Sequence, residues 1–165
     1  MPDRHRIVVI NTTPIVSLAL IGKLNLLQQL YDEVLIPPAV EAEILAGGTD
    51  QVGVIDFKVA EYILCKPLGD PSRANFLSDL DRGEAEVIAL AQELSADLVI
   101  IDEKIARKHA VRMGLTITGV LGVLLRAKEK GLIQDVKPLL EKLQQSGIWL
   151  GSVLVEETLR LAKEL

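Results

Sequence analysis

Sulfur, imidazole and aromatic rings are all scarce in this chain. Its 165 residues include one cysteine, Cys65, two histidines, two Phe, two Tyr and one Trp. A single cysteine excludes an intramolecular disulfide, and no Cys/His cluster has zinc spacing. So few aromatics argue against a base-stacking platform for nucleic acid. Positive charge is the minority sign: 18 Lys and Arg stand against 23 Asp and Glu, a net charge of −5. That balance excludes a general nucleic-acid coat, so any polyanion must meet a local basic patch. Long apolar runs are missing too. Ile15 to Ile21, broken by Ser17, falls well short of a membrane span. The opening residues, Met1 to Arg6, lead into a strand too short for the apolar core of a signal peptide. The expectation is a soluble, cytoplasmic protein with no membrane partner.

What is present is a chain with 49% hydrophobic and 25% charged residues, enough to bury a core over one domain spanning 1–165. Arg6 to Ile10 (RIVVI), Glu33 to Ile36 (EVLI) and Leu98 to Ile101 (LVII) are short β-branched runs that predict strands buried on both faces. Tyr62 to Cys65 and Leu115 to Thr118 predict two more, with Cys65 a core residue at a strand end. Helices are predicted between them. The first opens at Pro14 with Thr12 or Thr13 as N-cap, stops near Gly22 and continues helically over Leu24 to Tyr31 after a bend; another runs from Ala39 to Leu45 and stops at Gly47-Gly48. Others are expected over Gln51 to Ala60, Pro71 to Leu80, from Arg82 onward and from Lys104 to Met113, the last closed by Gly114. The remainder reads as helical, with the helices from about residue 134 extending the domain and Trp149 anchoring the last one. Apolar strands alternating with helices imply a parallel sheet covered on both sides, a three-layer α/β fold. In such sheets the strand-final polar residues deserve inspection, because ligands bind at the carboxyl ends of the strands.

Four places put oxygen donors there. Asn11 ends the first strand; Glu43, with Glu41 before it, follows the second; Glu84, with Glu86, opens the Arg82 helix; Asp102 and Glu103 end the LVII strand. Oxygen ligands without histidine suit hard cations such as Mg²⁺ or Mn²⁺. Each residue also has a plain structural role. Acids in a first turn favour the helix dipole, and Asp102 is a natural N-cap.

The segments INTTPIVSLALIGKLNLL, VLIPPAVEAEIL, RGEAEVIALAQELSADLVIIDEKIARKHAVRMGL and TITGVLGVLLRAKEKGLI resemble the PIN domain, from about Ile7 to Ile133. They are closest to its short prokaryotic branch, allied to the toxins of toxin–antitoxin pairs. The resemblance implies a Rossmann-like parallel sheet and a Mg²⁺- or Mn²⁺-dependent ribonuclease cutting single-stranded RNA. An antitoxin protein and a second copy of the chain are candidate partners. By position, the family's first Asp falls on Asn11 and its hydroxyl residue on Thr13. The Glu of its Val-x-x-Glu pattern falls on Glu43, its third acid on Glu84, and its fourth on Asp102, with Glu103 as the alternative. Asn11 departs from the pattern: an amide contributes an oxygen but no charge, which implies weaker metal binding and reduced activity.

Lys104, Lys108 and Arg112 recur at i, i+4, i+8, with Arg107 and His109 beside them. This cationic stripe suits RNA phosphates or is a solvated face. The resembled branch tends to carry an arginine at Arg107, while His109 reads as a surface residue. An alternative function is a catalytically inactive PIN-fold module that binds RNA or protein. A phosphoacceptor receiver domain is disfavoured, because Lys66-Pro67 follows the wrong strand and Asn-Thr ends the first.

Overall fold

The computed structural model describes residues 6–47 and 52–165. Gly48 and Gln51, invoked above as a helix stop and a helix start, lie outside them. In chain order the elements are β1 (Val8–Ile10), α1 (Thr12–Leu20), α2 (Leu26–Tyr31), β2 (Val34–Ile36), α3 (Pro38–Leu45), α4 (Val52–Val59) and β3 (Ile63–Cys65). After a 3₁₀ segment at Pro71–Phe76 come α5 (Arg82–Leu94), β4 (Leu98–Ile100), α6 (Lys104–Arg112), β5 (Ile117–Thr118), α7 (Val120–Glu129), α8 (Lys137–Gln145) and α9 (Ser152–Leu161).

All five strands are parallel, in the order β3-β2-β1-β4-β5. β1 is therefore central, with Val9 opposite Leu35 on one side and Val99 on the other. Val8, Val9 and Ile10 are buried, as are Leu98, Val99 and Ile100. Side chains on both faces of these strands must be apolar because helices cover both. α5 is buried almost all round from Ala85 to Ala91, the pattern of a helix packed between neighbours rather than lying on a surface. The three-layer α/β expectation holds.

This strand order has one topological consequence. The chain moves outward from β1 to β3, then returns and continues on the other side of β1 through β4 and β5. The crevice between the carboxyl ends of β1 and β4 is thus the switch point at which open α/β sheets bind ligands. Asn11 and Asp102 stand at those two ends, and the Asn11 N–H donates to the Ile100 carbonyl at 3.0 Å.

Several local expectations are corrected. The N-cap of α1 is Asn11, not Thr12 or Thr13, although its side chain does not cap. The helix starts one residue earlier because Pro14 fits within a first turn, where its missing N–H breaks no hydrogen bond. Glu103, not Asp102, caps α6, accepting from the Ala106 N–H at 2.9 Å. Residues 71–80 form only a 3₁₀ segment to Phe76, its entry fixed by Asp70 accepting from Ser72. Cys65 is exposed, since β3 is an edge strand and only Ile63 of its three residues is buried. Trp149 is 87% exposed and anchors nothing. α9 is held instead by buried Thr158 and Leu159 and by Glu164, which accepts from the Val136 N–H at 2.8 Å, the Lys137 N–H at 2.9 Å and Lys128 Nζ at 3.0 Å. Among the described residues, no helix is long and apolar enough to cross a membrane.

Candidate functional site

Parallel pairing brings every strand-final residue to one edge of the sheet, and α3 packs on α5 across that edge. The contact is close at Gly83, where a Cβ would stand 2.8 Å from Glu43 Oε2 and 3.5 Å from Asp81 Oδ1. Glycine at the second position of α5 leaves the Glu43 carboxylate its place, which a Cβ there would oblige it to shift. Thr12 Oγ1 donates to the same Glu43 oxygen at 2.9 Å, tying α1 to α3. Thr13, one residue on, is exposed.

Asp81 caps α5, accepting the Glu84 N–H at 2.8 Å. Burial, then the hydrogen bond and charge of Asp81, then the charge of Glu103 push the Glu84 carboxyl up to about 7. Burial disfavours the ionised form first, and the neighbouring carboxylates of Asp81 and Glu103 add to it. Glu86, in contrast, is structural. Its oxygens take the Ala39 N–H at 3.1 Å and Arg82 Nε at 2.7 Å, joining α3 to α5.

Asp102 closes the β4 side. Both its oxygens accept from the Val120 N–H, at 3.1 and 3.2 Å, so it caps the first turn of α7. Burial raises its pKa against the opposing pull of that N–H and of Arg107. Arg107 is fixed beside it by an Nη1–H donated to the Ile101 carbonyl at 2.8 Å. Asn11 is 5% exposed, at the floor of the switch point.

The acids thus share an edge but form two groups: Glu43 and Glu84 with Asp81 and Glu103, and Asp102 with Arg107. Among the described residues no three His, Cys, Asp or Glu side chains converge tightly enough to enclose a metal ion. The donors nonetheless fit a hard cation in kind, being all oxygen. Mg²⁺ keeps several of its waters and takes one or two carboxylates, so it needs no closed cage.

A groove of about 900 Å³ is lined by Asp102 and by residues of α6, β5, α7 and α9. Lys104, Arg107, Lys108 and Arg112 all line it, so the cationic stripe faces a concavity shared with Asp102. Asn11, Glu43 and Glu84 lie outside it. His109 turns away to bond Asp79 at 2.8 Å, an interaction that holds the Asp79 carboxyl below its usual range.

Sequence reasoning missed Thr12, Asp81, Gly83 and Gly119. Asp81 had a signal, since an Asp three residues before Glu84 is a normal N-cap position. The glycines had none, because what they make room for is distant in sequence.

No curated protein matches the chain. A family model described as PIN domain matches residues 7–164, reaching through α8 and α9, beyond Ile133 where the motif resemblance stops. The chain belongs to the PIN domain family, a nuclease-type family whose members use divalent metal ions.

Proposed function

We propose that the protein is a Mg²⁺- or Mn²⁺-dependent endonuclease for single-stranded RNA, of the kind that serves as the toxin of a toxin–antitoxin pair. The observation that carries this reading is that Asp102, at the carboxyl end of β4, lines one groove together with the four cations Lys104, Arg107, Lys108 and Arg112. Acids alone would repel a phosphodiester; the neighbouring cations supply the attraction that positions it.

In this reading Asn11, Glu43, Glu84 and Asp102 are the candidate oxygen ligands, one or two carboxylates of which would hold the ion along with its waters, with Glu103 replacing Asp102 if the other register applies. When bound, the ion lowers the pKa of a coordinated water and offsets charge developing on the phosphate. The chain's own residues do the rest. Thr12 orients Glu43 through its 2.9 Å hydrogen bond. Arg107, locked on the Ile101 carbonyl, keeps a fixed positive charge beside Asp102. Lys104, Lys108 and Arg112 hold the strand by its phosphates, and Thr13 adds an exposed hydroxyl at the edge. Stacking on aromatic rings plays no part in the groove in this reading, since its lining among the described residues holds none.

A second reading, an inactive module that binds RNA or protein, is favoured by Asn11 and by the commitment of both Asp102 oxygens to Val120. Cleavage of a fluorescent single-stranded oligoribonucleotide separates the two. The nuclease reading expects cleavage that needs Mg²⁺ or Mn²⁺, stops with chelator and is abolished by Glu84→Gln. Binding without metal-dependent cleavage establishes the inactive module.

A further inference from the structure

A smaller cavity, of about 320 Å³, is lined by Arg6, Tyr31, Leu98, Thr118, Gly122 and Arg126. Thr118 and Gly122 also line the cationic groove, so the two adjoin at this contact, where a Cβ on Gly122 would overlap Thr118 Oγ1. Arg6 precedes β1 and Leu98 opens β4, so the cavity reaches the amino ends of the strands, away from the acidic edge. Its charged lining is of one sign: two guanidiniums, and no carboxylate among the described residues. Tyr31 is 8% exposed. A phenol so buried usually finds a hydrogen-bond partner, yet no described group bonds its hydroxyl, which is left open to the cavity it lines. Burial raises its pKa against the opposing pull of Arg6 and then Arg126, so both cations are felt at that oxygen. Arg126 pairs at 3.1 Å with Glu129, which uses one nitrogen and leaves the other N–H donors of its fork. Arg6 has no ion pair among the described residues.

We infer that Arg6, Arg126 and Tyr31 form a binding site for a phosphate monoester, distinct from the acidic edge and from the α6 stripe. Charge and donor count select that ligand. Guanidinium forks bind phosphate oxygens two at a time, and two such forks match a dianion, whereas a carboxylate would answer only one. The Tyr31 hydroxyl donates to a remaining oxygen. The cavity is at the small end of ligand pockets, about 300–1,000 Å³. It takes a mononucleotide or the phosphorylated end of an RNA strand, which present the same group. The helix α7 relates the site to the groove. Gly119, packed on Asp102, and Arg126 are separated by about 10 Å along it. A strand whose end is held at Arg126 can pass Thr118 and Gly122 into the groove. The phosphate site does not depend on the nuclease reading; only its use by an RNA end does.

The probes are inorganic phosphate, uridine 5′-monophosphate and uridine, titrated by calorimetry into the full chain with chelator present, so that no metal ion carries the phosphate. Both phosphates should bind and uridine should not. Arg6→Gln with Arg126→Gln should weaken the mononucleotide at least tenfold, and Tyr31→Phe, which keeps the ring, about tenfold, the worth of a hydrogen bond to a charged group. Glu129→Gln should tighten it about threefold by releasing Arg126 from an exposed pair, a gain that misfolding cannot imitate. Uridine binding as well as its monophosphate, or affinity indifferent to the arginine and tyrosine variants, overturns the site. So does phosphate binding that is lost in Lys104→Glu with Lys108→Glu and kept in Arg6→Gln with Arg126→Gln. A 5′-phosphorylated oligouridylate that outbinds its 5′-hydroxyl counterpart in wild type, but not in the arginine variant, upholds the site with an RNA end as its ligand. Equal binding of the two strands, with the mononucleotide behaving as above, upholds it as a site for free nucleotide. None of these readouts needs cleavage, so the site stands or falls apart from the nuclease reading.

Discussion

Gly119 is shaped around Asp102: a Cβ on Gly119 would overlap Asp102 Oδ1 and come 3.1 Å from Arg107 Nη1. Gly119 precedes α7 with an extended backbone that any residue can adopt (φ −124°). The demand for glycine there is one of space, set by a carboxylate that arrives from β4.

Gly119→Ala should therefore act on Asp102 rather than on the backbone. The methyl group must push the carboxylate off the Val120 N–H, at an overpacking cost of about 1–3 kcal/mol. If Asp102 serves cleavage, a shift of about 1 Å lowers the rate by about 10²-fold. Thermal melting and the cleavage assay measure the two effects separately. Full activity in a destabilised Gly119→Ala protein would remove Asp102 from the site.

The cationic stripe makes a prediction in salt. Each phosphate contact releases counterions from a single strand, steepening the fall of affinity with salt by about 0.7. Lys104→Glu with Lys108→Glu should flatten the slope of log K against log salt by about 1.4 and weaken binding across all RNA sequences alike. An unchanged slope would leave the stripe a solvated face as far as RNA is concerned.

How far the sequence foretold these contacts depended on their range. RIVVI and LVII are legible because burial on both faces requires every residue to be apolar, a constraint written wholly within the segment. Asn11 and Asp102 could be placed at the carboxyl ends of adjacent strands for the same reason, each following a recognisable strand. Adjacent polar pairs were less informative. Thr12-Thr13 and Asp102-Glu103 each offer two caps or two ligands one residue apart, and local pattern does not set the register. The structure assigns Glu103 to the α6 cap because Asp102 is already spoken for by Val120, eighteen residues away. Cys65 and Trp149 failed differently: hydrophobicity gives a tendency to be buried, but β3 has no neighbour on one side and the 149 turn has nothing packed over it.

Glu164 supplies a pH prediction. Partial burial pulls its pKa upward, but the N–H groups of Val136 and Lys137 and the ammonium of Lys128 outweigh this and lower it. A depressed carboxylate pKa stabilises the fold fully above the unfolded value, near 4.3, and that contribution disappears as pH falls through the folded value. Glu164→Gln should cost about 1–2 kcal/mol at pH 7, the worth of charge-assisted hydrogen bonds less what the amide retains. At this chain length that lowers Tm by about 2–8 °C. The gap between variant and wild type should close in acid, below the usual glutamate range. A gap independent of pH would mean that Glu164 holds α9 by packing rather than charge.

Asn11 decides how much charge the edge offers a cation. A unit charge 4 Å from another contributes about 4 kcal/mol at an effective dielectric of about 20, so replacing the amide by a carboxylate changes affinity for a divalent ion substantially. At 5% exposure, however, a new carboxylate at position 11 is buried, beside Thr12 whose hydroxyl already binds the Glu43 carboxylate. Without metal, Asn11→Asp should therefore melt lower than wild type, because burial and like charge both disfavour the ionised form. Added Mn²⁺ should reverse the order, since an ion that binds only the folded state stabilises it by mass action. Cleavage of single-stranded RNA should rise in parallel, as the better-held ion activates more water. The measurement is a matrix of melting temperature and cleavage rate for both proteins with and without Mn²⁺. A variant that melts lower and ignores Mn²⁺ would show that Asn11 faces no cation. Brisk wild-type cleavage, not improved by Asn11→Asp, would mean that the amide oxygen suffices or that position 11 is not a ligand.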